Sequence, residues 1–428
     1  MQATALGYGK LPIISVQHPF GARSREQVRR IAEKCADEIA ELMIQGAPDC
    51  QQMRGRGHPM DRARFDSTSK AQVVQGTNRA PLIETGDDLE AINQIYRERS
   101  WSDGFPIIPP TVERVERMLL STDRARESVV ARLAPGFGAA TVERIAINAV
   151  LAGCGPEYLP LLIGAVEAVA TPEFNLQAIQ ATTNPVAIWI IVNGPIARQL
   201  KFNGTFNCLG EGTWANATLG RALRLILRNI GGALPGEMDR ATQGQPGRYS
   251  FCCAENEADS PWEPLHVERG FKREQSTVTV AGIEGTMNMN THSKDAPELL
   301  RVIAETMIHP PSNEYCDGGQ PWLILGPEHA EILNRAGYGK ALTKARLWEL
   351  TKLQARRMAV NDLYRTRASR KDELGDIGPD TMLPIAPRAE DICLLVAGGP
   401  GTHSIYAPSF GNTRSATRVI APRALDSV

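Results

Sequence analysis

The chain reads as an α/β protein whose main body is internally duplicated, with strand–turn–helix units forming two pseudo-symmetric halves behind an N-terminal strand–helix segment. Three observations predict this. Short runs of apolar residues alternate with amphipathic helical stretches. Two of those runs, 187–192 and 322–325, lead through a Gly-Pro pair into a helix. Further pieces around them recur in one order.

The chain opens on Leu11-Pro12-Ile13-Ile14-Ser15-Val16, a short strand. Ser24 then caps a helix over 25–43 with Val28, Ile31, Cys35, Ile39 and Leu42 on one face. Residues 1–46 form this segment, and 47–110 a linker or wrapping arm. The arm is polar and aperiodic to about residue 88, has a helix start at Asp87 or Asp88, and ends in the stiff stretch Asp103-Gly104-Phe105-Pro106-Ile107-Ile108-Pro109-Pro110. Thr111 caps the next helix. The first α/β half runs over 111–290 and the second over 291–428.

Within the first half the expected elements are helices at 141–151 and 156–169, a buried strand at 187–192, a helix at 217–228, and strands at 249–254 and near 277–281. The second half repeats the order. Leu299-Leu300 and Glu305 match Leu161-Leu162 and Glu167, and the strand at 322–325 matches that ending at Val192. The helix at 341–350 matches 219–227, and 392–397 matches 251–254. Ser404 to Pro408 is paired with Ser260 to Pro264, and 417–420 with 277–280. The long charged stretch 355–390 is an expected insertion.

Composition narrows the function. Apolar residues make up 42% and charged residues 22% of 428, with a net charge of −1. That offers no basic face for nucleic acid and no run of membrane-spanning length. The expectation is a cytoplasmic protein without a signal peptide. The eight cysteines are scattered, so neither a disulfide framework nor a metal-ligand motif is indicated. No motif indicates a cofactor.

Ligands of α/β sheets sit beyond the carboxyl ends of strands, which directs attention to loops there. Thr183 and Asn184 precede a strand; Asn193 ends it. The loop 203–216 is rich in Gly and Asn and ends on a helix N-terminus, with Asn207, Glu211 and Asn216 as candidate substrate-binding residues. Asn216 is the expected cap. Cys208, within it, is the candidate nucleophile. Glu255 ends its strand with Trp262 and His266 close in sequence; a carboxylate against a Trp face is poised for proton transfer. His403 follows the Gly398–Gly401 loop and is a candidate acid or base. The catalytic candidates are therefore Cys208, Glu255 and His403, and Trp262 and His266 join the substrate-binding set.

Ala5-Leu6-Gly7-Tyr8 and Leu11 to Phe20, with the helix after them, resemble the later half of UGSC-type proteins, a family named for a Sec/Cys-Gly-Ser-Cys motif on a strand–loop turn. The remainder resembles large uncharacterised proteins in which such a segment is fused, through Asp103 to Thr111, Ala181 to Pro185, Val192 to Pro195 and Glu263 to Gly270. The motif itself is absent here, and the chain starts beyond the place it would occupy. The resemblance implies a small partner subunit that carries the UGSC-like segment, and so a hetero-oligomer.

The expected function is that of a subunit of a small-molecule metabolic enzyme catalysing addition, elimination or hydrolysis, with thiol chemistry as an option. A pocket-forming subunit of a thiol or selenol redox enzyme is the alternative, and a non-catalytic binding subunit the third.

Overall fold

The computed structural model describes residues 25–45, 80–310 and 312–420. The chain divides into two units, Met1–Thr77 and Asn78–Val428. In the first, the helix Arg25–Gln45 is described; Val28, Ile31 and Cys35 are half-buried along one face. The expected strand at 11–16, the cap at Ser24 and most of the expected arm lie outside the described residues.

The second unit is α/β. Its strands are β1 (Val129–Leu133), β2 (Gly138–Thr141), β3 (Ala187–Asn193), β4 (Cys252–Ala254), β5 (Ser276–Ile283), β6 (Met287–Asn290), β7 (Trp322–Leu325), β8 (Leu353–Gln354), β9 (Met382–Leu383), β10 (Cys393–Val396), β11 (His403–Ala407) and β12 (Ala416–Ile420). Two four-stranded sheets carry the fold, ordered β4-β3-β5-β12 and β10-β7-β11-β6. In each, the first two strands are parallel and the next two pairings are antiparallel. β6 follows β5 after a short turn, yet joins the other sheet; β12 returns from β11 to edge the first. The boundary expected at residue 290 therefore falls at the end of a strand that belongs to the later sheet.

Alternation along the strands builds the layers. Ile190, Val192, Cys252, Ala254, Val278 and Val280 face one core with the helices Val142–Ala152, Leu159–Val169 and Trp214–Asn229. Leu323, Leu325, Leu394, Val396 and Tyr406 face another with Ala296–Met307, Pro327–Arg335 and Lys340–Leu350. The opposite faces meet each other: Trp189, Ile191, Cys253, Trp322, Ile324 and Leu395 share a third core, where the rings of Trp189 and Trp322 meet edge-on at 5.4 Å. The result is helix, sheet, sheet, helix.

Local signals place many elements. Asp88 caps Leu89–Glu98, Thr111 caps Val112–Leu119 and Thr141 caps Val142–Ala152, each by a side-chain oxygen on a backbone N–H. Two of the expected internal matches fail. Ser260 to Pro264 is loop where Ser404 to Ala407 is strand, and 417–420 pairs with 276–279 rather than standing in its place in a second copy. In its own sheet β5, not that loop, holds the place that β11 holds in the other. The expected insertion is ordered by its own helix, Val360–Ser369, and by buried Arg370, which donates to Tyr315 and Pro384 carbonyls.

Candidate functional site

The parallel register of β3 and β4 sets Val192 against Ala254, so the next residues, Asn193 and Glu255, emerge side by side at the carboxyl ends of both strands. Loops close around them. Ala254 donates to Asn203 O at 3.0 Å and Gly398 to Gly204 O at 2.8 Å, while Asn256 N reaches Val396 O at 2.8 Å. Gly204 has to lack a side chain, because a Cβ there would lie 2.7 Å from Ala254 O. Gly194 does too: its φ is +82° and a Cβ would meet Gln275 O at 2.2 Å.

Glu255 is 5% exposed. Its Oε2 accepts from Asn193 Nδ2 at 2.6 Å and from Leu265 N at 2.8 Å. Its Oε1 is buried with no hydrogen-bond partner. Burial pushes the carboxyl up to about 7, against the opposing pull of the Lys340 charge and of the two donors. Glu257 lies beside it, accepting from Gly194 N at 2.7 Å and Asn193 Nδ2 at 3.1 Å. His266, wholly buried, approaches Glu257 through Nδ1 at 3.9 Å, and its Nε2 is 3.4 Å from Arg273 O.

Behind this pair stands a charged bridge. Lys340 Nζ is 2.9 Å from Glu268 Oε2 and donates to Glu263 O at 3.1 Å; Lys344 joins the same carboxylate. Burial would raise the Glu268 carboxyl, but the two ammonium groups together hold it low. In front, Glu255 and Glu257 line a cleft of ≈ 370 Å³ bounded by Arg198, Phe202, Thr205 and Arg273. Arg198 and Arg273 are exposed at its mouth.

The structure gathers some of the expected residues and disperses others. Asn193, Glu255 and His266 form the cluster. Thr183 and Asn184 lie at the other end of β3, about 20 Å away at ~3.3 Å per residue, because their loop enters the strand rather than leaving it; Thr183 O there accepts from Thr242 N. Asn207 has a left-handed backbone, and its Nδ2 closes its own loop on Glu211 O; Glu211 is exposed. Asn216 is not the cap of its helix. Thr213 holds that position, and the Asn216 amide is consumed by Asn203 N, Asn203 O and Cys208 O. Trp262 packs against the second core, away from the cleft lining.

Cys208 is buried in the inter-sheet core. A hydrogen bond from the Cys253 thiol holds its own thiol below the usual range, while Cys253 is driven up. His403 is exposed at the start of β11 with Nδ1 3.2 Å from the Asn288 amide nitrogen, and it does not line the cleft. Arg198, Arg273 and Lys340 were not singled out from sequence. Arg198 had a signal, lying in the helix that follows the Asn193-Gly194-Pro195 strand exit; Lys340 had none, since it arrives from the other half of the chain.

No protein-family model, no curated protein and no solved structure matches the chain. Among the described residues, no helix is long and apolar enough to cross a membrane, and no group of three or more His, Cys, Asp or Glu side chains could hold a metal ion. The cleft presents a buried carboxyl with two guanidinium groups flanking it.

Proposed function

We propose that this cleft is the active site of an enzyme that moves a proton on a small anionic substrate in an addition, elimination or hydrolysis, with Glu255 as acid and base. One observation carries the reading. Glu255 lines the cleft, and of its two carboxyl oxygens one is fixed by two donors while the other, buried, has no partner, which supports proton exchange with a ligand held there. Titration near neutrality lets both forms be populated at working pH. Arg198 and Arg273 supply the attraction for an anion at the mouth, and Lys340 stabilises the charged form from behind.

The test is proton exchange, which does not require knowing the full reaction. A panel of small carboxylic acids is incubated with the protein in D₂O and deuterium at the carbon next to the carboxylate is followed by NMR. Exchange should rise with ionisation of Glu255 and drop by roughly 10²–10⁴ in Glu255→Gln. Equal exchange in that variant, or none with any acid, refutes the assignment.

A second reading takes Cys208, whose carbonyl anchors the Asn216 amide in the loop closing over the end of β4, as a thiol nucleophile. Cys208→Ser separates the two: it abolishes activity under the thiol reading and leaves proton exchange intact under the first. We also propose that the two sheets descend from a duplicated unit whose last strands were exchanged. The identical succession of parallel and antiparallel neighbours in β4-β3-β5-β12 and β10-β7-β11-β6 supports it. A cytoplasmic setting rests on composition and scattered cysteines, a small UGSC-like partner on the sequence resemblance, and co-purification from the native source tests the partner.

A further inference from the structure

A second cleft, of ≈ 470 Å³, opens at the other end of β3, where Arg224, Arg228 and Arg248 converge with Asp103, Asp239 and Tyr249. Its carboxylates are already engaged. Asp103 is held by Arg221 through both oxygens, at 2.7 and 2.9 Å. Asp239 Oδ2 accepts from Arg224 at 2.9 Å and Arg248 at 2.5 Å, and its Oδ1 from Ala241 N at 3.1 Å.

The guanidinium groups are not all satisfied in return. Arg248 Nη2 is buried and bonded to nothing. Arg228 donates only from Nε, to Ser100 O at 3.2 Å; burial lowers it, and Asp103, Asp239 and the exposed Glu237 oppose that through the field alone. A desolvated cationic donor without a partner, as Arg248 Nη2 is, is costly to a fold. An oxyanion bridging Arg228 and Arg248 would complete them, since the guanidinium fork matches carboxylate and phosphate oxygens.

The walls are built before any ligand arrives. Gln245 Nε2 donates to Pro185 O at 2.7 Å and Ile283 O at 2.8 Å, and Arg248 Nε to Val186 O at 2.9 Å, tying the loop to the start of β3 and the end of β5. A pre-formed cleft loses little ordering entropy on binding. At the rim, Tyr249 stacks edge-on with Phe105 at 4.9 Å, and both are half exposed.

We propose that this cleft binds a small molecule bearing a phosphate or carboxylate group, at a site distinct from the Glu255 cleft. The guanidinium groups of Arg228 and Arg248 receive the oxyanion, and Arg224 and Asp239 position Arg248.

Calorimetric titration of the full chain with inorganic phosphate and, separately, with malonate, at constant ionic strength set by chloride, tests it. Saturable binding of at least one is expected, and the stronger of the two identifies the oxyanion. Arg228→Gln should weaken one binding component about tenfold or more, and that same component should persist in Arg198→Gln, which alters the other cleft. Arg228→Lys serves where the Gln variant does not fold; it keeps the charge but not the fork, and should bind more weakly than the parent. Absence of saturable binding, full affinity in the Arg228 variants, or loss of every binding component in Arg198→Gln overturns the proposal. Proton exchange at Glu255 is read independently of these outcomes.

Discussion

Glu255 is displaced from ordinary carboxylate behaviour by burial, and its hydrogen bonds work the other way. Asn193 and Leu265 favour the ionised form, as does Lys340, yet desolvation wins and places the carboxyl at about 7. The sign of the linked stability follows. Between the unfolded value near 4.5 and the folded value near 7 the native state holds the proton more tightly, so stability falls as pH rises across that window. Above it the carboxylate is a standing cost. Glu255→Gln should therefore abolish exchange while stabilising the fold at pH 8 by up to about 3 kcal/mol, and change little at pH 5. Urea unfolding at both values checks this, and ¹³C NMR of labelled glutamate should show a carboxyl titrating near 7 that vanishes in the variant. A native glutamate spectrum with every carboxyl near 4.5 would sink it. At this scale the strand-end rule made Asn193 and Glu255 legible. Asn216 and Asn207 were misread because an Asn amide serves a loop backbone as readily as a ligand, and composition cannot tell which.

At the scale of elements, the strands read well and their partners did not. β3, β7 and β10 announce themselves as apolar runs because each is buried on both faces. β6, Met287–Asn290, carries two asparagines, has one buried residue, and left no such mark. The placing of β6 beside β11 and of β12 beside β5 therefore had no mark in the sequence, and the match of the last strands fails with it. It has a sharp consequence. β12 lies against the helix Leu159–Val169, where a Cβ on Gly164 would come 2.5 Å from Ile420 Cδ1 and 3.1 Å from Val278 Cγ1. Gly164→Val should cost about 1–3 kcal/mol through overpacking, and Ile420→Ala about 2–5 kcal/mol through the cavity it leaves. Together they should cost less than their sum by about 1 kcal/mol or more, as neighbours do. Additive losses in a double-mutant cycle of denaturant midpoints would place β12 elsewhere.

For the whole molecule, two further carboxyls share the condition of Glu255. Burial lifts Glu284 to about 7, against the pull of Asn313, and Glu314 to about 8, although Ser409 donates to Glu314 at 2.8 Å from its backbone and Tyr406 from its hydroxyl. All three take up protons on folding, so each contributes stability that is present at low pH and lost as pH climbs through its folded value. The buried thiols push the same way. Cys154 is raised to about 12 by burial, so the native state keeps its proton where an unfolded thiol, near 8.5, gives it up. On the acid side burial lowers His329, which withholds a proton that the unfolded chain accepts below about 6.5. Stability should accordingly peak on the mildly acidic side of neutrality, against the usual pattern in which paired carboxylates favour higher pH. None of this was legible in a composition with a net charge of −1, because the effect comes from which few acids the sheets enclose. The urea midpoint at pH 6 should exceed that at pH 9, and Glu314→Gln should shrink the gap. A midpoint as high at pH 9 as at pH 6 would mean that these carboxyls are ionised at no cost in the native protein, and Glu255 would lose its claim to hold a proton at neutral pH.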